Sequence, residues 1–147
     1  MTERILIKTE VANISGTKKF AARAIQHIRS GDTVLLYGDL GSGKTFLTKE
    51  FVALLGSTAE ASSPSFSLIN QYDDKILINH IDLYRINDHR DLINLGLDDL
   101  WNSGGINFIE WPEIIEAQIT WHHFRIKIIS NPKKKNWRQY IFVECYD

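Results

Sequence analysis

Gly38-Asp39-Leu40-Gly41-Ser42-Gly43-Lys44-Thr45 fills every fixed position of the pattern G-x-x-x-x-G-K-[ST]. An apolar run, Thr33-Val34-Leu35-Leu36-Tyr37, precedes it, and a helix-forming run over residues 46–55 follows. A strand before and a helix after are the context that gives this pattern its meaning. Glycines at 38, 41 and 43 let the backbone curl so that its N–H groups converge on one point. The helix that starts there adds its positive dipole end, so the segment reads as a phosphate cradle. Lys44 is placed to reach β- and γ-phosphates, and the Thr45 hydroxyl to ligate Mg²⁺.

The rest of the chain sets the frame. Its 147 residues suffice for one domain with a sizeable core, and 1–147 reads as a single unit. It is 44% hydrophobic and 24% charged, as ordinary globular proteins are. A net charge of −1 supplies no field that draws the chain to nucleic acid or an anionic membrane. The single cysteine, Cys145, excludes an internal disulfide, and no Cys/His cluster suggests structural zinc. Residues 1–8 turn polar too quickly for a signal peptide, and no apolar run approaches the roughly 18 residues of a membrane span. The expected setting is the cytoplasm.

Around the cradle the pattern alternates between strands and helices. Residues 5–8 read as an edge strand. A helix follows whose apolar positions are Phe20, Ala21, Ala24, Ile25 and Ile28, with Ser15 or Thr17 as its cap and Ser30-Gly31 as its end. The run 33–37 is apolar without alternation, as a strand buried on both faces should be. Residues 57–63 read as a mobile loop. Two strands, 66–72 and 75–81, flank Asp73-Asp74 as an antiparallel hairpin. Residues 88–100 read as helix broken at Gly96, residues 106–109 as a buried strand, and 122–129 with 137–146 as two strands around a turn at 130–136. The sum is an α/β domain with a mixed sheet.

Hydrolysis of a nucleotide needs a carboxylate near the metal and a group that orients water. Asp82 and Glu110 both end apolar strands, and ligands of parallel α/β sheets gather at such ends. Either acid can hold Mg²⁺ and either can orient water; the pattern leaves both assignments open. Ser62-Ser63-Pro64-Ser65-Phe66 supplies hydroxyls that can close over a γ-phosphate, although a plain solvated turn has the same composition. A guanine-nucleotide hydrolase is excluded: there is no N-K-x-D, and Asp82-Leu83-Tyr84-Arg85 lacks the glycine of D-x-x-G. Adjacent His122 and His123 point to opposite faces of a strand and so cannot share a metal; they read as surface residues. Lys133-Lys134-Lys135 reads as a solvated turn, with RNA contact as the alternative.

Several segments, in order, resemble one family, the bacterial TsaE (formerly YjeE) P-loop ATPases of tRNA threonylcarbamoyladenosine biosynthesis. They are the phosphate loop, Ser63-Pro64-Ser65-Phe66, His80-Ile81-Asp82-Leu83-Tyr84-Arg85, Leu95-Gly96-Leu97 and Ile109-Glu110-Trp111-Pro112-Glu113. The resemblance implies a P-loop NTPase-like three-layer fold with a mixed parallel and antiparallel central sheet. It implies ATP held by Gly38, Asp39, Leu40, Gly41, Ser42, Gly43 and Lys44, with Mg²⁺ on Thr45. Asp82 and Glu110 would be the acidic residues of the metal and hydrolysis site. Ser65 stands where the family most often has threonine and would act from a switch-like loop; it keeps the hydroxyl and loses the stiffening methyl. Trp111 would pack beside the nucleotide or against a partner, with a core aromatic as the equal alternative. Thr17 matches a common threonine near the nucleotide pocket, and Arg138 is the nearest candidate for the family's basic residue after the last turn.

The resemblance further implies an accessory ATPase. It would bind a TsaD–TsaB heterodimer, reset that complex between rounds of transfer, and meet tRNA only indirectly. The residues show no arginine finger beside the phosphate loop, in keeping with weak turnover alone. Two other readings stay open at this stage, a small-molecule kinase and a nucleotide-gated binding module.

Overall fold

The protein is described by a computed structural model covering residues 1–58 and 68–147, so the expected loop over Ser62 to Phe66, Ser65 included, lies outside the described residues. Strand β2 (Thr33–Tyr37) is the axis of the molecule. It lacks alternation because both of its faces are covered. Val34 and Leu36 enter one apolar cluster and Leu35 the other, all without exposure. Among the described residues seven strands form one sheet: β1 (Thr2–Val11), β2, β3 (Ile69–Asp73), β4 (Leu77–Asp82), β5 (Ile106–Glu110), β6 (His123–Asn131) and β7 (Lys134–Tyr146), in the order β1-β7-β6-β2-β5-β4-β3. The pairings β6-β2, β2-β5 and β5-β4 are parallel; the flanking ones are antiparallel.

Helices lie on both faces, giving three layers. On one face α1 (Ile14–Ala24) and α2 (Lys44–Leu54) bury Phe20, Phe51 and Leu47 against Phe108, Phe124 and Phe142 of the sheet. Phe51 stacks on Phe108 at 5.2 Å, which fixes α2 over β5. On the other face α3 (His89–Ile93), α4 (Leu97–Trp101) and the turns after β5 cover Leu35, Ile81 and Ile109. β2 is the switch point. The chain leaves it through α2 toward β3 and β4 on one side, and returns from β5 to β6 on the other. Crevices at such points lie at the carboxyl ends of the strands.

Several boundaries differ from the sequence reading. β1 runs well beyond residues 5–8, because pairing with β7 continues from Thr2 to Val11. Neither Ser15 nor Thr17 caps α1. Asn13 does, its Oδ1 accepting from Gly16 N at 2.9 Å, while Thr17 lies inside the helix against the Tyr140 hydroxyl. Asp73 belongs to β3 and pairs with Leu77, so the first hairpin turns over three residues rather than two. The second turn is tighter than expected, since Asn131 already pairs with Lys134. Lys134 and Lys135 are therefore strand residues, and only Lys133 of the lysine run lies in the turn. His123 is not a surface residue. It has no exposure and sits between the Trp121 carbonyl and Arg125, while His122 is the exposed one and meets Glu144.

Candidate functional site

The loop from β2 to α2 is shaped by its glycines. Gly41 and Gly43 have φ of +79° and +107°, a region L side chains rarely adopt, and Gly43 is the residue at which α2 begins. Gly38 is constrained by space. A Cβ there would overlap Ser42 Oγ and stand 3.1 Å from the Ile128 carbonyl oxygen. The amino end of α2 thus opens into a cavity of about 250 Å³ lined by Leu40, Gly41, Gly43, Lys44, Asp82 and Glu110, with Thr45, Phe46, Tyr84 and Trp111 around them. Unpaired N–H groups and the dipole of an 11-residue helix favour an anion there.

Lys44 is buried, and its Nζ donates to the carbonyl oxygens of Gly38 at 2.5 Å and Asp39 at 3.0 Å. The ammonium also lies 3.9 Å from the centre of the Trp111 ring. Burial holds its pKa below the usual lysine range, opposed by Glu110, Glu113 and Asp82. The Thr45 hydroxyl donates between both carboxylate oxygens of Glu110, 2.9 Å to each.

The acids come from adjacent parallel strands. Asp82 of β4 stands opposite Glu110 of β5, and Glu110 stands opposite Leu36 of β2, next to the loop. Glu110 is only 3% exposed. A buried carboxylate demands partners, and among the described residues it has two: the Thr45 hydroxyl and Nε2 of buried His80. Asp82 is more open, its Oδ1 accepting from Tyr84 N at 2.9 Å. The donor set is all oxygen, which suits a hard cation completed by phosphate and water. Among the described residues no group of three or more His, Cys, Asp or Glu side chains converges on one point. An ion here would therefore rest on Thr45 and one or two carboxylates, with its other ligands supplied by the nucleotide and solvent.

The expected residues Gly38 to Thr45, Asp82, Glu110 and Trp111 are brought together in or beside this cavity. Ser65 lies outside the described residues. Trp111 is a half-buried pocket residue and the one non-glycine with positive φ (56°) among the described residues. Such a backbone costs on the order of 1–3 kcal/mol, and it turns the ring over Lys44 and beside Tyr84, 5.0 Å away.

One arginine reaches the phosphate loop through its backbone and not into the cavity. Arg138 Nε donates to the Ser42 carbonyl at 2.7 Å, and its Nη1 to the carbonyls of Lys135 and Trp137. Arg138 also lines a second cavity of about 180 Å³ with Thr17, Ser42, Phe46 and Tyr140, which shares Gly43 and Phe46 with the lining of the first. Two neighbours of the site had no assigned role in the sequence reading. His80 precedes Asp82 by two residues, which puts both on one face of β4, and that spacing was the available signal. Tyr37 donates to Glu116 at 2.7 Å; burial, and then this bond, push its hydroxyl well above the usual tyrosine range.

Known proteins resemble this chain over most of its length. The profile of "Threonylcarbamoyl adenosine biosynthesis protein TsaE" matches residues 11–139. The tRNA threonylcarbamoyladenosine biosynthesis protein TsaE of Bacillus subtilis is 37% identical over 123 residues, 83% of this chain and 77% of that one. The protein of the same name from Rickettsia prowazekii is 37% identical over 122 residues, 80% and 84% of the two chains. The crystal structure of Bacillus subtilis YdiB superposes with a TM-score of 0.75 at 29% identity, covering 97% of this chain and 87% of that one. With the profile spanning the phosphate loop, both acids and Arg138, this chain belongs to the TsaE family.

Proposed function

We propose that this chain is an Mg²⁺-dependent ATP hydrolase that serves as an accessory factor in making threonylcarbamoyladenosine in tRNA. The observation that carries the reading is the meeting of Lys44 and Thr45, at the start of α2, with Asp82 and Glu110 at the ends of two parallel strands. The loop N–H groups and Lys44 hold the β- and γ-phosphates. To do so, Lys44 leaves the Gly38 and Asp39 carbonyls, and Trp111 keeps the ammonium flanked on one side. The Thr45 hydroxyl, released from Glu110, would help hold the metal. Mg²⁺, when bound, neutralises charge that develops on the phosphate oxygens. Glu110, buried and held by His80, orients the attacking water; Asp82, more open, would help hold the metal. The second cavity, between Thr17, Phe46 and Tyr140, takes the base.

The partner in this reading is the TsaD–TsaB heterodimer, and tRNA is met only through that complex, in the cytoplasm. Two features support a weak ATPase that works with a partner. No arginine lines the phosphate cavity among the described residues, and Arg138 is tied to loop and strand carbonyls. An arginine supplied to a phosphoryl site is worth roughly 10³–10⁵ in rate. Among the described residues no helix is long and apolar enough to cross a membrane.

Calorimetric titration with ATP and a phosphate-release assay test the reading together. Lys44→Ala should weaken binding by roughly tenfold or more, from the loss of charge-assisted bonds of about 1.5–3 kcal/mol. Glu110→Ala should keep binding and lose turnover. Unchanged affinity in the first variant or normal turnover in the second rejects the assignment. Phosphate appearing on an acceptor instead of in solution would favour a kinase.

A further inference from the structure

The His80 ring is the fixed partner of the buried acid. β4 and β5 are parallel, with His80 opposite Phe108 and Asp82 opposite Glu110. Side chains two residues apart share a face, so His80, Asp82 and Glu110 lie on one face of the sheet, with His80 reaching Glu110 along the diagonal. His80 is 6% exposed and Glu110 3%, and Nε2 of the ring contacts Oε2 of the carboxylate. A carboxylate oxygen accepts, so the ring donates from Nε2. The other donor to Glu110, the Thr45 hydroxyl, belongs to an exposed residue at the mouth of the cavity. In the proposed function that hydroxyl would turn to the metal, and Glu110 would then keep one fixed donor among the described residues.

We infer that His80 is a positioning residue: its Nε2–H holds the Glu110 carboxylate in its working orientation while Thr45 is engaged elsewhere. The inference rests on the ATPase reading for its kinetic consequence and on the His80–Glu110 contact for its structural one. Holding an acid matters for turnover and little for phosphate affinity, since among the described residues no hydrogen bond joins His80 to Lys44 or the loop. Loss of a partner that orients a ligand or a base costs typically 10–100-fold.

Three substitutions separate positioning from packing. Glutamine carries its amide nitrogen as many bonds from Cβ as histidine carries Nε2; asparagine is one carbon shorter. His80→Ala and His80→Asn should lower kcat for ATP by about 10–100-fold with KM and ATP affinity without Mg²⁺ nearly unchanged, and His80→Gln should restore most of the loss. Equal kcat in all variants, or a loss confined to KM, overturns the inference. Nitrogen-15 spectra of the histidine rings give a readout independent of turnover. Wild type should show Nε2 of His80 as the protonated nitrogen, with its signal displaced in Glu110→Ala. An unprotonated Nε2, or a signal indifferent to Glu110, overturns it as well. If wild type hydrolyses no ATP, the ATPase reading fails while the ring spectra still decide the contact.

Discussion

Replacing Gly38 by alanine tests how the phosphate loop is packed. The added Cβ would overlap Ser42 Oγ and approach the Ile128 carbonyl oxygen to 3.1 Å, with Ser42 Cβ at 3.2 Å. Overpacking of this kind costs about 1–3 kcal/mol. For a chain of this size each kcal/mol moves the melting temperature by roughly 2–4 °C, so a drop of about 4–8 °C is expected for a 2 kcal/mol loss. The clash has a specific remedy. Ser42 Oγ is buried and has no hydrogen-bond partner among the described residues, so Ser42→Ala removes the worst overlap without breaking a bond. The double variant Gly38→Ala/Ser42→Ala should recover on the order of 1 kcal/mol beyond additivity, a coupling within the range of contacting residues. Gly41→Ala is the control. Its Cβ would meet nothing within 4 Å and its cost is backbone conformation at φ +79°, so Ser42→Ala should bring no relief. Urea unfolding of the three single and two double variants reads all these values. Strict additivity of Gly38→Ala with Ser42→Ala, or equal relief of Gly41→Ala, would refute the packing argument.

Two further predictions concern other elements. Arg138→Ala should weaken ATP binding by about tenfold, because a charge-assisted bond of about 1.5–3 kcal/mol to the Ser42 carbonyl no longer fixes the loop; equal affinity in calorimetry would separate Arg138 from the site. His123 governs acid stability. Burial, and less strongly the Arg125 charge, hold its pKa below the usual histidine value, while its bond to Trp121 O acts in the opposite sense. The unfolded chain therefore binds more protons just below pH ~6.5, and stability falls with decreasing pH from there to the folded pKa, with a slope of at most about 1.4 kcal/mol per pH unit. His123→Gln should flatten that part of a urea-denaturation profile; an unchanged slope would assign the acid sensitivity elsewhere.

The parts legible in the sequence were those fixed by local chemistry. The apolar run of β2, the glycines of the loop and the acids closing β4 and β5 each carry their own signal, and the structure brings them to one crevice. What stayed hidden depended on partners distant in the chain. His80 sits in an apolar run, and its partner is unknown until β4 and β5 are seen to be parallel neighbours. Arg138 reaches Ser42 across 96 residues, a contact set by the placement of β7. Alternation in β6 marked Phe124, Ile126 and Ile128 as its buried face and left His123 outside. The sheet is covered on both sides there, so His123 and its pair Cys145 are buried too. The cap of α1 was displaced for a simpler reason: Asn13 caps as well as serine does, and the helix begins one residue after it.

The most direct test of the account is phosphate release from Mg-ATP by the purified protein, alone and with TsaD and TsaB added. Slow release alone that changes when both partners are present is the predicted result. Release that is indifferent to the partners, or nucleotide binding with no phosphate freed in either condition, would contradict it.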